Sequence, residues 1–265
     1  MSAELTEAEL TEIGPGVVRL TWSQVLQDKG TAAASERIRS TMRAAFAGGL
    51  VRIETLVDPD DQNAQRIATF SGLMREGIAR GVAEGSDRIV YSRLATDVPV
   101  DEAAGFRSLL NSFLPRKRAI GQMLIRAEPD EPGGDDRVLL CQLTYKRDFD
   151  LPGGVVEVGE SPREATGREV TEELALDISA GDLILTDWLP PWGGWDDAVC
   201  LVFDGGVHQA DIVERIVKQE REIRGAAFHT LEEARELCAD FTARRIEAAL
   251  ERLAGGGSPY TESGR

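Results

Sequence analysis

The chain has 265 residues, enough for two ordinary domains with separate cores. Its 46 acidic and 30 basic side chains give a formal net charge of −16, which argues against binding of nucleic acid duplexes or anionic membranes. The sequence contains neither a signal-like segment at its start nor an apolar run long enough to span a bilayer, so we expect a cytoplasmic location. A nucleotide-sized substrate stays compatible with this charge, because metal ions neutralise phosphates locally.

Cysteine and histidine usage narrows the chemistry further. Cys141, Cys200 and Cys238 are odd in number, far apart and set in apolar stretches, so we predict buried free thiols in a reducing compartment. With only two histidines in the chain, a histidine-based zinc site is not expected.

The first hundred residues alternate between strand and helix patterns. Strands are predicted at 17–22, 51–57, 78–82 and 88–94, and helices at 32–46 and 62–70. This order indicates a small α/β domain over residues 1–96. The polar segment 97–116, which contains Pro99 and Pro115, is predicted to be a linker.

The remaining chain predicts a second α/β domain over residues 117–255. Its strands are expected at 119–125, 138–143, 155–158, 183–188, 198–203 and 225–228, with helices at 168–174, 231–238 and 242–253. A mixed sheet with helices on both faces follows from this order. The Gly- and Ser-rich residues 256–265 are predicted to be a disordered tail.

One short helix in this second domain concentrates acidic side chains. Its start is predicted at Ser161 and Pro162, because serine caps a helix and proline suits the first helical position. Residues three and four apart share one helix face, which gathers three glutamates: Glu169, Glu172 and Glu173. Carboxylates at this spacing repel by about 0.2–0.5 kcal/mol per pair, so we expect a cation among them. Mg²⁺ or Mn²⁺ fits best, because both prefer hard oxygen ligands.

The spacing of these residues resembles the Nudix box. The matching residues are Gly154, Glu160 and the run Arg168-Glu169-Val170-Thr171-Glu172-Glu173-Leu174-Ala175-Leu176, preceded by the turn Pro152-Gly153-Gly154. Ala175 stands where the family usually has glycine, at a helix end that favours a left-handed backbone. A solvated acidic helix face is the alternative, but the joint occurrence of the turn, Glu160 and the glutamates argues against it.

The resemblance implies an α/β/α sandwich and hydrolysis of a diphosphate linkage in a nucleoside diphosphate derivative. It also implies roles for particular residues. Glu169 and Glu173 would be metal ligands, Glu172 a ligand or the holder of a metal-bound water, and the Gly153 carbonyl a further ligand. Glu160 would support metal-bound waters, and Arg168 would orient neighbouring carboxylates. The catalytic set is therefore predicted as Arg168, Glu172 and Glu173.

Substrate recognition is expected outside the box. Trp192 and Trp195 lie in a loop and are predicted either to stack on a base or to cover a core edge. Lys146 precedes the glycine turn and is a candidate for phosphate contact. Glu220 and Glu222 are candidate bases by position alone.

A second resemblance concerns the N-terminal region. The Gln27-x-x-Gly30-x-Ala32 loop before a helix is similar to the pyrophosphate-binding loop in the C-terminal half of a GNAT-type N-acetyltransferase. Gln27 and Gly30 would then contact acetyl-CoA. Too little chain precedes Gln27 for the acceptor side of that fold, so a truncated domain is expected.

The sequence is therefore compatible with three functions. The leading one is a Mg²⁺- or Mn²⁺-dependent nucleotide pyrophosphohydrolase. The second is a nucleotide sensor or binding module without turnover, and the third is acetyl transfer by the N-terminal domain. The expected partner is a small nucleotide, and a homodimer is considered only because homodimers are common among soluble proteins.

Overall fold

The computed structural model describes residues 7–131, 134 and 136–265. The chain divides into two compact units, Met1–Pro115 and Arg116–Arg265. Residues 1–6 of the predicted N-terminal domain lie outside the described residues.

The N-terminal unit contains one five-stranded sheet. Its elements are β1 (Ala8–Gly14), β2 (Val17–Trp22), α1 (Gln24–Asp28), α2 (Thr31–Ala47), β3 (Arg52–Val57), α3 (Gln62–Phe70), β4 (Met74–Ala83), β5 (Ser86–Leu94) and α4 (Ala103–Phe113). The strand order is β1-β2-β3-β5-β4, and β2 and β3 form the one parallel pair in it. Alternate residues of β3, among them Ile53 and Val57, are buried in the core, as expected for a strand with one covered face.

The linker predicted over 97–116 is wrong over its central part, because α4 forms there. Phe106, Leu109, Leu110 and Phe113 recur at helical spacing, and Leu109 is buried. The Ser112 hydroxyl accepts the Arg75 backbone N–H at 3.1 Å, which ties this helix to β4.

The C-terminal unit contains one large mixed sheet. Its elements are β6 (Arg118–Ala127), β7 (Arg137–Leu143), β8 (Phe149–Asp150), β9 (Gly153–Val155), α5 (Pro162–Leu174), β10 (Leu183–Leu189), β11 (Ala198–His208), a 3-10 helix (Ala210–Arg215), β12 (Ile223–Thr230), α6 (Leu231–Leu237), α7 (Asp240–Leu253) and β13 (Tyr260–Glu262). The strand order is β12-β7-β6-β11-β10-β13, with β8 paired to β7 and β9 paired to β6. Among the described residues, no helix combines the length and apolarity needed to cross a membrane.

Two cores lie on opposite faces of this sheet. Met123 and Ile125 of β6 pack with α5 residues on one face, whereas Leu124 packs with α6 and α7 residues on the other. This division follows from the alternation of side chains along a strand, and it agrees with the predicted sandwich. Cys141, Cys200 and Cys238 are free and buried, as predicted.

Two sequence expectations in this unit are corrected. The tail predicted to be disordered includes β13, which pairs in parallel with β10, because Thr261 satisfies a buried acceptor at Asp187 with a 2.8 Å hydrogen bond. The strand expected at 155–158 occurs instead at Gly153–Val155. The chain turns after it, where the Glu157 N–H donates to the Glu160 carboxylate at 2.7 Å.

Candidate active site

Local interactions fix both ends of α5, and they therefore determine on which face of the helix its glutamates lie. The Ser161 hydroxyl accepts the Glu164 N–H at 3.3 Å, and the Glu164 carboxylate accepts the Ser161 N–H at 3.1 Å. The helix ends at Ala175, whose φ of 54° and ψ of 28° are left-handed, and whose N–H donates to the Thr171 carbonyl at 2.9 Å. Val170 and Leu174 then face the core.

Glycines allow the backbone of β9 to approach two of these carboxylates. The Gly153 N–H donates to Glu173 Oε2 at 3.0 Å. A Cβ at Gly154 would lie 2.4 Å from the carboxyl carbon of Glu169, so a larger residue would displace that side chain. Gly153 itself has a φ of 137°, and a Cβ there would lie 2.1 Å from the Gly121 carbonyl oxygen. The Gly-Gly turn is therefore required by the close packing of backbone against helix.

The carboxylates beside this turn lie in an environment that disfavours their negative charge. Glu173 is 4% exposed, and burial, with smaller effects from Glu169, Glu222 and Asp150, raises its pKa to about 8. Burial also raises the pKa of Glu169. A bound cation would relieve both effects, because an adjacent positive charge favours the ionised form.

Arg168 organises the other side of the cluster. Its guanidinium binds Glu160 through two hydrogen bonds of 2.8 and 3.1 Å, and it contacts Glu172 at 2.8 Å and Glu169 at 3.0 Å. This pairing lowers the pKa of Glu160. One rigid, planar group therefore fixes the orientation of three glutamates.

The acidic side chains of the cluster are potential ligands for a divalent metal. In the described part of the chain, no group of three or more His, Cys, Asp or Glu side chains converges closely enough to hold an ion. Arg168 occupies oxygens of Glu160 and Glu172, whereas the buried Glu169 and Glu173 carboxylates adjoin the Gly153–Gly154 turn. All of these donors are oxygens, the ligand type that hard divalent cations prefer.

A buried polar chain lies behind the glycine turn. Asp150 accepts a hydrogen bond from Gln122 at 2.8 Å and pairs with Lys146 at 2.6 Å. Gln122 in turn accepts from Arg245 at 3.0 Å, and Arg245 pairs with Asp187 at 2.8 Å. Lys146, predicted to contact phosphate, is thus held by Asp150.

The sequence predicts no role for the other residues of this hydrogen-bonded series, which are Asp150, Gln122, Arg245 and Asp187. Asp150 lies two residues before Pro152 of the Pro-Gly-Gly turn, so its position is a usable signal. Arg245 is 123 residues from Gln122, and no local pattern marks it.

The two loop tryptophans flank the tight turn Gly193–Gly194. Trp192 and Trp195 exchange backbone hydrogen bonds of 3.1 and 2.9 Å, and each is 60% exposed. The Arg118 guanidinium carbon lies 5.0 Å from the Trp195 ring centroid, and the Trp192 ring meets Phe241 edge-on at 5.6 Å. Both indoles keep exposed surface for a ligand.

The other predicted site residues are placed as follows. The Glu222 carboxylate contributes to the raised pKa of both Glu169 and Glu173, so the fold brings Glu222 toward the cluster. In the N-terminal unit, Gly30 precedes α2 with a φ of 92°, and Gln27 accepts a hydrogen bond from Asn63 at 3.4 Å.

Comparison with known families identifies the C-terminal unit. Residues 118–250, half of the chain, match the model of the NUDIX domain. The chain belongs to the Nudix family. This membership supports a Nudix-type pyrophosphohydrolase, an enzyme that acts on acid anhydrides. The comparisons do not confirm the acetyltransferase resemblance of the N-terminal region.

Several solved structures of Nudix proteins are similar to this chain. A MutT protein from Methanosarcina mazei Go1 is 24% identical, with 54% of this chain and 99% of that chain covered and a TM-score of 0.43. The NUDIX domain of Shewanella oneidensis NrtR, complexed with ADP ribose, is 17% identical, covering 53% and 90%, with a TM-score of 0.45. A C. elegans Ap4A hydrolase is 18% identical, covering 52% and 96%, with a TM-score of 0.40. No curated protein matches the chain.

Proposed function

We propose that the C-terminal unit is a Mg²⁺- or Mn²⁺-dependent hydrolase of a diphosphate linkage in a nucleoside diphosphate derivative. The observation that carries this proposal is the buried Glu173 carboxylate, held by the Gly153 N–H beside Glu169, in surroundings that raise its pKa to about 8. Buried charged groups in proteins are usually paired with an opposite charge or bound to a metal, and the Glu173 carboxylate accepts its hydrogen bond from the neutral Gly153 amide.

The chemistry divides between the bound ion and the side chains. The ion, when bound, supplies charge neutralisation of the phosphate oxygens and orientation of the attacking water. Glu169 and Glu173 hold it, with the Gly153 carbonyl as a further ligand. Arg168 orients Glu160 and Glu172 through its hydrogen bonds. Glu172 has a side chain that is 57% exposed, which makes it a suitable acceptor for the proton released by water.

Recognition of the nucleoside is assigned to the tryptophan turn. Trp192 and Trp195 offer exposed indole surface on which a base can stack. Lys146 lies beside Asp150 and the glycine turn, where its charge favours an approaching phosphate.

The test is turnover of a nucleotide panel with Mg²⁺ or Mn²⁺, followed by phosphate or pyrophosphate release. The panel contains normal and oxidised nucleoside triphosphates, dinucleoside polyphosphates, ADP-ribose and nucleotide sugars. We expect turnover of one class and its loss in Glu173→Gln. Glu236→Gln, which changes an exposed glutamate on α6, is the matched control and should keep full activity.

Two results would count against the proposal. Full activity of Glu173→Gln would show that the metal assignment is wrong. Tight nucleotide binding without turnover under all metals would instead favour the sensor or binding module.

The resemblance of the N-terminal unit to an acetyltransferase is tested separately, by acetyl-CoA binding. Gly30 has a φ of 92° before α2, and a Cβ built there would have no atom within 4 Å, so the surface beside this helix entrance is open. We expect no acetyl-CoA binding by calorimetry. Binding that is lost in Gly30→Ala would reverse this expectation.

A further inference from the structure

A groove in the N-terminal unit has the composition of a small-molecule site. It has a volume of about 400 Å³ and is formed by residues of α3, β4, β5 and α4. Ligand sites in proteins commonly have volumes of about 300–1,000 Å³ and combine apolar or aromatic walls with a few placed polar groups. None of its lining residues belongs to the proposed hydrolase site.

One wall comes from a second face of α3. Ala64, Ile67 and Ala68 turn toward the core of the unit and are buried. Arg66 and Phe70 are four residues apart, so they share a different face, and this face lines the groove. Phe70 is 60% exposed, an unusual environment for a large aromatic ring.

The floor and the opposite wall come from the sheet and α4. Tyr91 is 2% exposed and is paired in register with Arg75, so both side chains project from the same face of the sheet. Burial raises the pKa of Tyr91, and nearby Arg75 and Thr69 act in the opposite direction. Phe113 closes the groove at the end of α4, which is fixed here by the Ser112–Arg75 hydrogen bond.

The charges around the groove are unbalanced. The groove lining includes Arg66 and Arg75 but neither Asp nor Glu, and among the described residues neither of these arginines forms an ion pair. Other arginines of the same unit differ in this respect: Arg19, Arg37, Arg39, Arg43, Arg52 and Arg88 form ion pairs, whereas Arg80, Arg93 and Arg107, which do not line the groove, form none. Glu76, the neighbour of Arg75, projects to the other face of the sheet and pairs with Arg52 at 2.5 Å. In a chain of net charge −16, two guanidiniums left without carboxylates beside aromatic rings indicate an anionic ligand.

We propose that this groove binds a small organic anion. Its flat, apolar body lies among Phe70, Tyr91 and Phe113, and its carboxylate or phosphate group lies between Arg66 and Arg75. The N-terminal unit is thus a ligand-binding unit in its own right, whatever substrate the C-terminal unit takes.

Calorimetric titration of the full chain with matched naphthalene probes tests the site. The probes are 2-naphthoate, 2-naphthyl phosphate and the neutral 2-naphthol, which share one ring system. We expect both anions to bind and 2-naphthol to bind at least tenfold more weakly, since the charge-assisted hydrogen bonds are lost. The tighter of the two anions identifies the anionic group of the natural ligand.

Substitutions of the two groove arginines test whether the anions bind in this groove. Arg66→Gln and Arg75→Gln should each weaken the tighter anion about tenfold or more, and Glu173→Gln should leave its affinity unchanged. Arg80→Gln is the matched control, because Arg80 is an exposed arginine of β4 that does not line the groove. Equal binding of naphthoate and naphthol, unchanged affinity in both groove variants, or no anion binding at millimolar concentration would overturn the proposal.

Discussion

Replacing Arg245 should destabilise the C-terminal unit more than replacing any exposed arginine. Arg245 is 1% exposed and its partner Asp187 is fully buried. In Arg245→Met, the Asp187 carboxylate keeps hydrogen bonds from Thr261 and Gly264, both at 2.8 Å, but it loses its counter-charge. Breaking a buried pair in this way costs about 3–5 kcal/mol, because one charge is left without compensation.

The assay is urea unfolding followed by tryptophan fluorescence, since Trp188, Trp192 and Trp195 all lie in this unit. In thermal unfolding followed by the same fluorescence, the expected loss corresponds, for about 150 residues, to a fall of roughly 6–20 °C in Tm. Arg235→Met is the control, because its pair with Glu247 at 2.6 Å is exposed and should contribute less than about 1 kcal/mol. Should Arg245→Met prove too unstable to purify, Thr261→Val removes one hydrogen bond to Asp187 and should cost about 1 kcal/mol.

The double variant Arg245→Met/Asp187→Leu tests whether the two buried charges stabilise each other. With both charges removed, no carboxylate remains buried without a partner, so the double variant should be less destabilised than the sum of its single variants. If the two single effects add without coupling, or if Arg245→Met behaves like Arg235→Met, the buried pair does not stabilise the fold as argued.

Three further predictions concern α5 and its neighbours. Ala175→Gly should raise the stability of the unit by about 1 kcal/mol, seen as a higher Tm, because Ala175 adopts a left-handed backbone that glycine tolerates better. Gly154→Ala should raise the metal concentration for half-maximal activity about tenfold, because its Cβ would lie 2.4 Å from the Glu169 carboxyl carbon. Gly167→Ala is the control and should leave this concentration unchanged, because the nearest atom to its Cβ would be 3.9 Å away. In EDTA the folded state retains a proton on Glu173, whose pKa is raised from 4.5 to about 8, so Tm should fall as pH rises through this range. Glu173→Gln should flatten that profile, and a wild-type Tm independent of pH would contradict the assignment.

The sequence predicted the elements whose signals are local. The capping residues at Ser161 and Glu164 and the spacing of Glu169 and Glu173 marked α5 and the face on which its acidic residues lie, because short-range geometry decides both. The alternating cores of the second sheet followed from side-chain periodicity in the same way.

The sequence does not predict elements and contacts that depend on residues far away in the chain. The prolines and polar residues around α4 predict a linker, and the apolar repeat at Phe106, Leu109 and Phe113 is too weak to indicate the helix that forms there. Strand β13 lies in a Gly-rich tail, and the groups that hold it, the backbone of β10 and the buried Asp187 carboxylate, are distant from it in sequence. The chain from Asp150 through Gln122 to Arg245 joins residues far apart in sequence, which no motif of one segment can encode.

Strand β13 also shields the edge of the large sheet. It covers Thr186 to Trp188 of β10, a strand whose Ile184 and Leu185 side chains belong to the core. Without this short strand, β10 would present open backbone hydrogen-bonding groups next to apolar side chains, an arrangement that favours strand addition between molecules. Proteolytic loss of the last few residues would therefore turn a protected sheet into one prone to edge-to-edge aggregation, even if the glutamate cluster stayed intact.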